Sequence, residues 1–136
     1  MKIVICGSMI FSKEMMEIKD GLEALGHIAI LPHNAERYAR SQLALETKTR
    51  SVKHKIKYDL IREYYREIKA SDGILVLNYD KGGIDNYVGG NSFLEAGFAH
   101  ILKKKVYFLF GIPKMLYSDE LKALQPIILD GDLKKI

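Results

Sequence analysis

Gly89-Gly90-Asn91-Ser92-Phe93-Leu94-Glu95 gathers two glycines, an amide, a hydroxyl and an acid just ahead of an apolar helical run. Gly89 and Gly90 let a backbone come close to a ligand, and Asn91 and Ser92 offer donors and acceptors at a helix start. Glu95 stands out because the residues after it are small or apolar: Ala96, Gly97, Phe98, Ala99, Ile101 and Leu102. At helical spacing it shares a stripe with Phe98, Ala99 and Leu102, the stripe expected to face a sheet. An acid in the first turn at the top of such a stripe points into a cleft. The same residues admit a structural account. Ser92-x-x-Glu95 is also a capping box, with the glutamate reaching back to the Ser92 amide, and the glycines then only make the turn. Spacing alone leaves both open.

Other chemistries lack their residues. The segment Cys6-Gly7-Ser8-Met9-Ile10-Phe11 does not have the G-x-G-x-x-G spacing, and no G-x-x-x-x-G-K-[ST] occurs. His27, His33, His54 and His100 show no metal-ligand spacing, and one cysteine makes no thiolate cluster, so neither metal nor cofactor is expected. No G-x-S-x-G elbow is present, and Cys6, ending an apolar run, reads as a small core residue. Basic residues crowd the stretch from Arg37 to Lys69, interleaved with Glu36, Glu46, Asp59, Glu63 and Glu67. Such a stretch could attract phosphates, but it also reads as a solvated helix face. Without a reader motif, nucleic acid is not expected as a partner.

These residues need a scaffold, and 136 residues with 48% hydrophobic and 28% charged composition suit one α/β domain over 1–136. No apolar run is long enough for a membrane span, so no membrane is expected as a partner. The start Met1-Lys2-Ile3-Val4-Ile5-Cys6 is too short for a secretory signal, and the lone cysteine fits a reducing cytoplasm. Strands are expected at Ile3–Cys6, Ile28–Leu31, Gly73–Asn78, Val106–Phe110 and Pro126–Leu129. Helices are expected from a Ser12 cap to Gly26, near Glu36–Leu45, over Ile56–Ala70, from Asn91 or Ser92 to Lys103, and over Asp119–Leu124. The alternation implies a doubly wound parallel sheet of five strands in the order 2-1-3-4-5, with helices on both faces. Ligands in such sheets sit at the carboxyl ends of the strands where the winding reverses. Gly7, Ser8 and Met9 then meet Asn78, Tyr79 and Asp80 and the turn before Glu95. Tyr58, Tyr64, Tyr65, Tyr79 and Tyr87 could offer an aromatic face to a base, with Tyr79 and Tyr87 the better candidates and Tyr65 a core residue; Asn78 is either a polar contact or a satisfied loop cap. Asp72 falls at the opposite end of its strand, as a turn or cap residue.

The blocks Ser71-Asp72-Gly73-Ile74-Leu75-Val76-Leu77, Gly90-Asn91-Ser92-Phe93-Leu94-Glu95-Ala96-Gly97-Phe98-Ala99 and Lys104-Lys105-Val106 resemble the nucleoside 2-deoxyribosyltransferase superfamily, which includes nucleoside monophosphate N-glycosidases. Gly7-Ser8-Met9 occupies the place of that family's loop after strand one. The resemblance implies a flavodoxin-like fold and Glu95 as nucleophile on the anomeric carbon of a (deoxy)nucleoside or its 5′-monophosphate. Gly7, Ser8, Met9, Asn78, Tyr79, Gly89, Gly90, Asn91 and Ser92 would be substrate contacts. It also suggests a homodimer, which the irregular arm from Pro32 to Lys53 would suit. A nucleophile works ionised, and the helix N-terminus is expected to keep Glu95 so. Two positions depart from the pattern. Gly89 stands six residues before the glutamate, where the family carries Asp or Ser, and Tyr64 stands eight before Asp72, where it carries Asp. Glu63, Asp80 and Asp85 are the acids that could substitute. The alternative is a non-catalytic domain of the same fold that binds or senses a nucleotide-like ligand.

Overall fold

The computed structural model describes residues 1–45 and 47–136; Glu46 of the basic segment lies outside the described residues. Five short strands, β1 (Lys2–Cys6), β2 (Ile28–Ile30), β3 (Gly73–Val76), β4 (Lys105–Phe108) and β5 (Ile127–Ile128), form one sheet in the order β2-β1-β3-β4-β5. Every pairing is parallel, with Ile3 opposite Gly73 and Cys6 opposite Val76 across the central pair. This is the flavodoxin-like order expected from the alternation of elements. The winding reverses between β1 and β3, the neighbours in the sheet that are farthest apart in sequence.

β1 and β3 are apolar on both faces because helices cover both. Side chains alternate, so Ile3, Ile5 and Leu75 pack with Met15 and Leu22 of α1 (Ser12–Ala24). Val4, Cys6, Ile74 and Val76 pack on the other face with Ile68 of α4 (Leu60–Lys69) and with Ala96 and Ala99 of α5 (Gly90–Ile101). The alternation therefore directs the Cys6 thiol toward α4 and α5. The remaining helices are α2 (Ala35–Ala39), α3 (Lys48–Lys57) and α6 (Ser118–Ala123).

Four local expectations need correction. The expected single helix over Ile56–Ala70 is two, because Asp59 adopts a left-handed conformation (φ 50°) that ends α3 and starts α4. Aspartate tolerates this conformation better than most residues. The expected helix near Glu36–Leu45 is only α2, and Ser41 turns left-handed just after it (φ 57°). Ser12 does not cap α1: it is itself helical and buried, and Phe11 stands at the cap. Tyr65 is exposed, its ring edge-on to Phe98 at 5.5 Å, because the apolar face of α4 is wider than the sheet can cover. Asp72 serves as expected at the far end of β3, accepting the Lys2 amide at 2.7 Å. Among the described residues, no helix is long and apolar enough to cross a membrane.

Candidate functional site

A cavity of about 630 Å³ opens at the carboxyl edge of the sheet, over the point where the winding reverses. The loop after β1 supplies Gly7, Ser8 and Met9, α5 supplies Asn91 and Glu95, and α4 supplies Tyr64. The crossover between β2 and β3 closes it from above with His33 and with Ser51, His54 and Lys55 of α3. The break at Asp59 makes this possible, since α3 and α4 can then present different faces to one cavity.

The start of α5 is held firmly. Val88 is fully buried, and its carbonyl accepts a hydrogen bond from the Tyr117 hydroxyl at 2.5 Å. One turn later Phe93 stacks on the same ring, with centroids 4.8 Å apart and planes within 8°. Helical hydrogen bonding begins from the Gly89 carbonyl to the Phe93 amide at 2.9 Å, so Gly89 is the cap and the helix starts at Gly90. Glu95 is thus in the second turn, and the first turn carries no acid. That removes the capping box: Ser92 is buried inside the helix rather than at its cap, and no side chain caps the start.

Glu95 instead faces the cavity, above Cys6 and beside α4. Burial pushes its carboxyl up to about 7, opposed by a hydrogen bond with the Cys6 thiol and by the charge of Lys55. The expected help from the helix N-terminus is outweighed, because that influence fades beyond the first turn. Burial, and then the Glu95 charge, push the Cys6 thiol well above its ordinary value, so it stays a neutral donor. Tyr64 accepts the His33 backbone N–H at 2.5 Å, and burial followed by Glu95 likewise drives its phenol upward. Tyr64, which stands where the resemblance leads one to expect an acid, thus contributes a neutral hydroxyl to the same cavity.

Of the residues singled out from sequence, the structure brings Gly7, Ser8, Met9, Asn91 and Glu95 together. Gly89, Gly90 and Ser92 build the helix start without lining the cavity. Asn78 is wholly buried, and its amide is spent on the chain: Nδ2 donates to the carbonyls of Phe110 and Gly111, and Oδ1 accepts the Phe110 amide. Tyr79 turns to the α1 side of the sheet, between Phe11 (5.1 Å) and Phe110 (5.8 Å). Asn78 is thus the satisfied loop cap of the two readings its position allowed, and neither residue is positioned as a ligand contact. Glu63, Asp80 and Asp85 also stay outside the cavity lining, and Asp80 accepts the Asn86 amide at 2.9 Å. Tyr87 lies beneath the ammonium of Lys81, 5.2 Å from the ring centre.

Tyr64, one of the tyrosines the sequence offers as a face for a base, does line the cavity, whereas Lys55, Lys81, His33 and His54 are cavity residues that sequence reasoning missed. His33, His54 and Tyr58 gather at the crossover, with ring centroids 4.6 to 5.9 Å apart. The histidines have no telling spacing in the sequence, and only their common apposition to the strand ends singles them out. Among the described residues, no group of three potential ligands could hold a metal ion. No family model, curated protein or solved structure matches the chain.

Proposed function

We propose that the cavity binds a (deoxy)nucleoside or its 5′-monophosphate and that Glu95 attacks the anomeric carbon to cleave or transfer the N-glycosidic bond. One observation carries this reading: the Glu95 carboxyl faces a roomy cavity at the switch point instead of capping its helix. In the reaction, an ionised Glu95 oxygen forms a bond to the sugar carbon as the bond to the nucleobase breaks. The base leaves with the electron pair and takes a proton from solvent. Water then releases the sugar, or a second base accepts it. The resemblance of the Gly90–Ala99 block to the deoxyribosyltransferase superfamily supports the same assignment.

A second reading, a binding or sensing domain that does not turn over, is favoured by a specific feature. Glu95 is the one carboxylate lining the cavity among the described residues, and Tyr64 offers a phenol that holds its proton. A panel of nucleosides and 5′-monophosphates, followed by chromatography of released bases, separates the two. Base release by the wild type and none by Glu95→Ala supports the enzyme; ligand binding without release by either supports the sensor.

A second copy of the chain is the protein partner that fits this reading. Ile56 (76% exposed), Ile61, Leu94 and Ile101 (79% exposed) leave the outer faces of α3, α4 and α5 apolar beside the cavity. Sedimentation at micromolar concentration should give a dimer, and Ile61→Lys with Leu94→Lys should give a monomer.

A further inference from the structure

Between β3 and α5 the chain makes a tight detour that ends on one ammonium group. Lys81 and Ile84 exchange two backbone hydrogen bonds, each 3.0 Å, around Gly82 and Gly83. Both glycines are left-handed (φ 58° and 76°), as a two-residue reversal of this kind demands. The base of the loop is pinned by Asp80 to the Asn86 amide and by the Tyr87 amide to the Tyr79 carbonyl. From this fixed turn the Lys81 side chain crosses to the loop after β1, where Nζ donates to Ser8 Oγ at 3.0 Å. The ring of Tyr87 backs the ammonium.

The charges lining the cavity are Lys55, Lys81 and Glu95. Lys55 donates to Ser51 at 3.1 Å and acts on Glu95, which leaves Lys81 as the surplus cation. Among the described residues, Lys81 has no carboxylate partner. Ser8 does not spend its hydroxyl on the short helical turn that follows it. Because Ser8 accepts from Lys81, its own proton remains to donate, as do further N–H groups of the ammonium. Several donors and one uncompensated positive charge therefore converge on a single point of the cavity wall. A phosphomonoester, with its dianionic charge and its several acceptor oxygens, complements that point.

We propose that Lys81 and Ser8 clasp the phosphate of a phosphorylated ligand, so that the site takes a nucleoside 5′-monophosphate in preference to the nucleoside. The inference rests on reading the cavity as a nucleotide site with Glu95 at the sugar.

The test is calorimetric binding to the full chain carrying Glu95→Gln, which cannot consume its ligand. Matched 2′-deoxynucleosides and 5′-monophosphates are compared with deoxyribose 5-phosphate and inorganic phosphate. The 5′-monophosphate should bind about tenfold or more tightly than its nucleoside. Adding Lys81→Met should abolish that preference, Lys81→Arg should keep most of it, and Ser8→Ala should weaken it in part. Equal affinity for the two members of a pair, or a preference that survives Lys81→Met, overturns the clasp. Nucleosides cleaved by the wild type without a phosphate preference leave the proposed activity standing and remove the clasp. Lys81-dependent binding of deoxyribose 5-phosphate and inorganic phosphate, with no base released from any nucleotide, supports the clasp and removes the activity.

Discussion

Asn78 and Phe110 grip one another at the carboxyl edge of the sheet, the Asn78 amide donating to the Phe110 carbonyl at 3.0 Å and accepting its N–H at 2.8 Å. A third bond, to the Gly111 carbonyl at 2.8 Å, completes the set. The pair ties the segment leaving β3 to the segment leaving β4, directly beneath the loop that carries Lys81. Asn78→Ala should leave three part-buried backbone groups without their partner and cost about 1–3 kcal/mol. Urea denaturation would measure it, and a loss below about 0.5 kcal/mol would show that the clasp is dispensable.

Glu95 should give the protein a particular pH response. Its folded pKa, near 7, lies above that of an unfolded glutamate, so the folded state holds the proton more tightly. The resulting stability is complete below about pH 4 and is lost as pH rises through about 7. Glu95→Gln should therefore match the wild type at pH 4 and exceed it by about 1–3 kcal/mol at pH 8. Thermal melts across that range read the difference directly.

If Glu95 is the nucleophile proposed, activity should run the opposite way. A nucleophilic carboxylate must be ionised, so kcat/KM for base release should climb through about pH 7 and level off above it. A profile already flat at pH 5 would contradict Glu95 as a buried nucleophile.

Tyr64→Asp would place a second acid where the resemblance leads one to expect it. Two carboxylates sharing one cavity repel, so Glu95 should titrate higher still than in the wild type. Carbon-detected NMR of the glutamate carboxyls would follow the shift. Tyr64→Phe should leave the titration nearly in place while releasing the His33 amide, at a cost of about 0.5–1.5 kcal/mol.

Gly89 has an ordinary extended backbone, yet a Cβ there would lie 3.2 Å from the Tyr87 ring. Gly89→Ala should accordingly displace that ring from beneath Lys81 rather than strain the turn. The measurable sign is loss of the ring-current shift on the Lys81 side-chain protons, with less than about 1.5 kcal/mol of destabilisation.

Much of this was legible from residue patterns. The apolar runs of β1 and β3, the helix after Gly89 and the alternation of elements sufficed for the strand order and for the edge at which Ser8, Asn91 and Glu95 meet. What pattern could not supply depended on contacts distant in sequence. Asn78 and Tyr79 look like ligand contacts by position, but their partner Phe110 lies some thirty residues on. Lys81 reaches Ser8 across 73 positions, a pairing that no local spacing encodes. The helix break at Asp59 overrides a strong helical period by one backbone conformation. Ser92 looks like a cap and so points to Glu95 in the first turn, whereas the chain winds into a helix from Gly90 and carries Glu95 in the second.

Within the crossover from Ile30 to Gly73, α4 packs on the sheet through Ile68, whereas α3 reaches over the cavity and, among the described residues, adds no side chain to either core; Glu95 rides on a helix bolted to the sheet through Ala96 and Ala99. The carboxylate and the roof of the cavity are therefore written on separable stretches of chain. Descendants of this sequence could exchange the roof and so acquire new ligands while inheriting the same carboxylate in the same place. Grafting a foreign α3 into this crossover is a shorter route to an altered ligand than redesigning the floor.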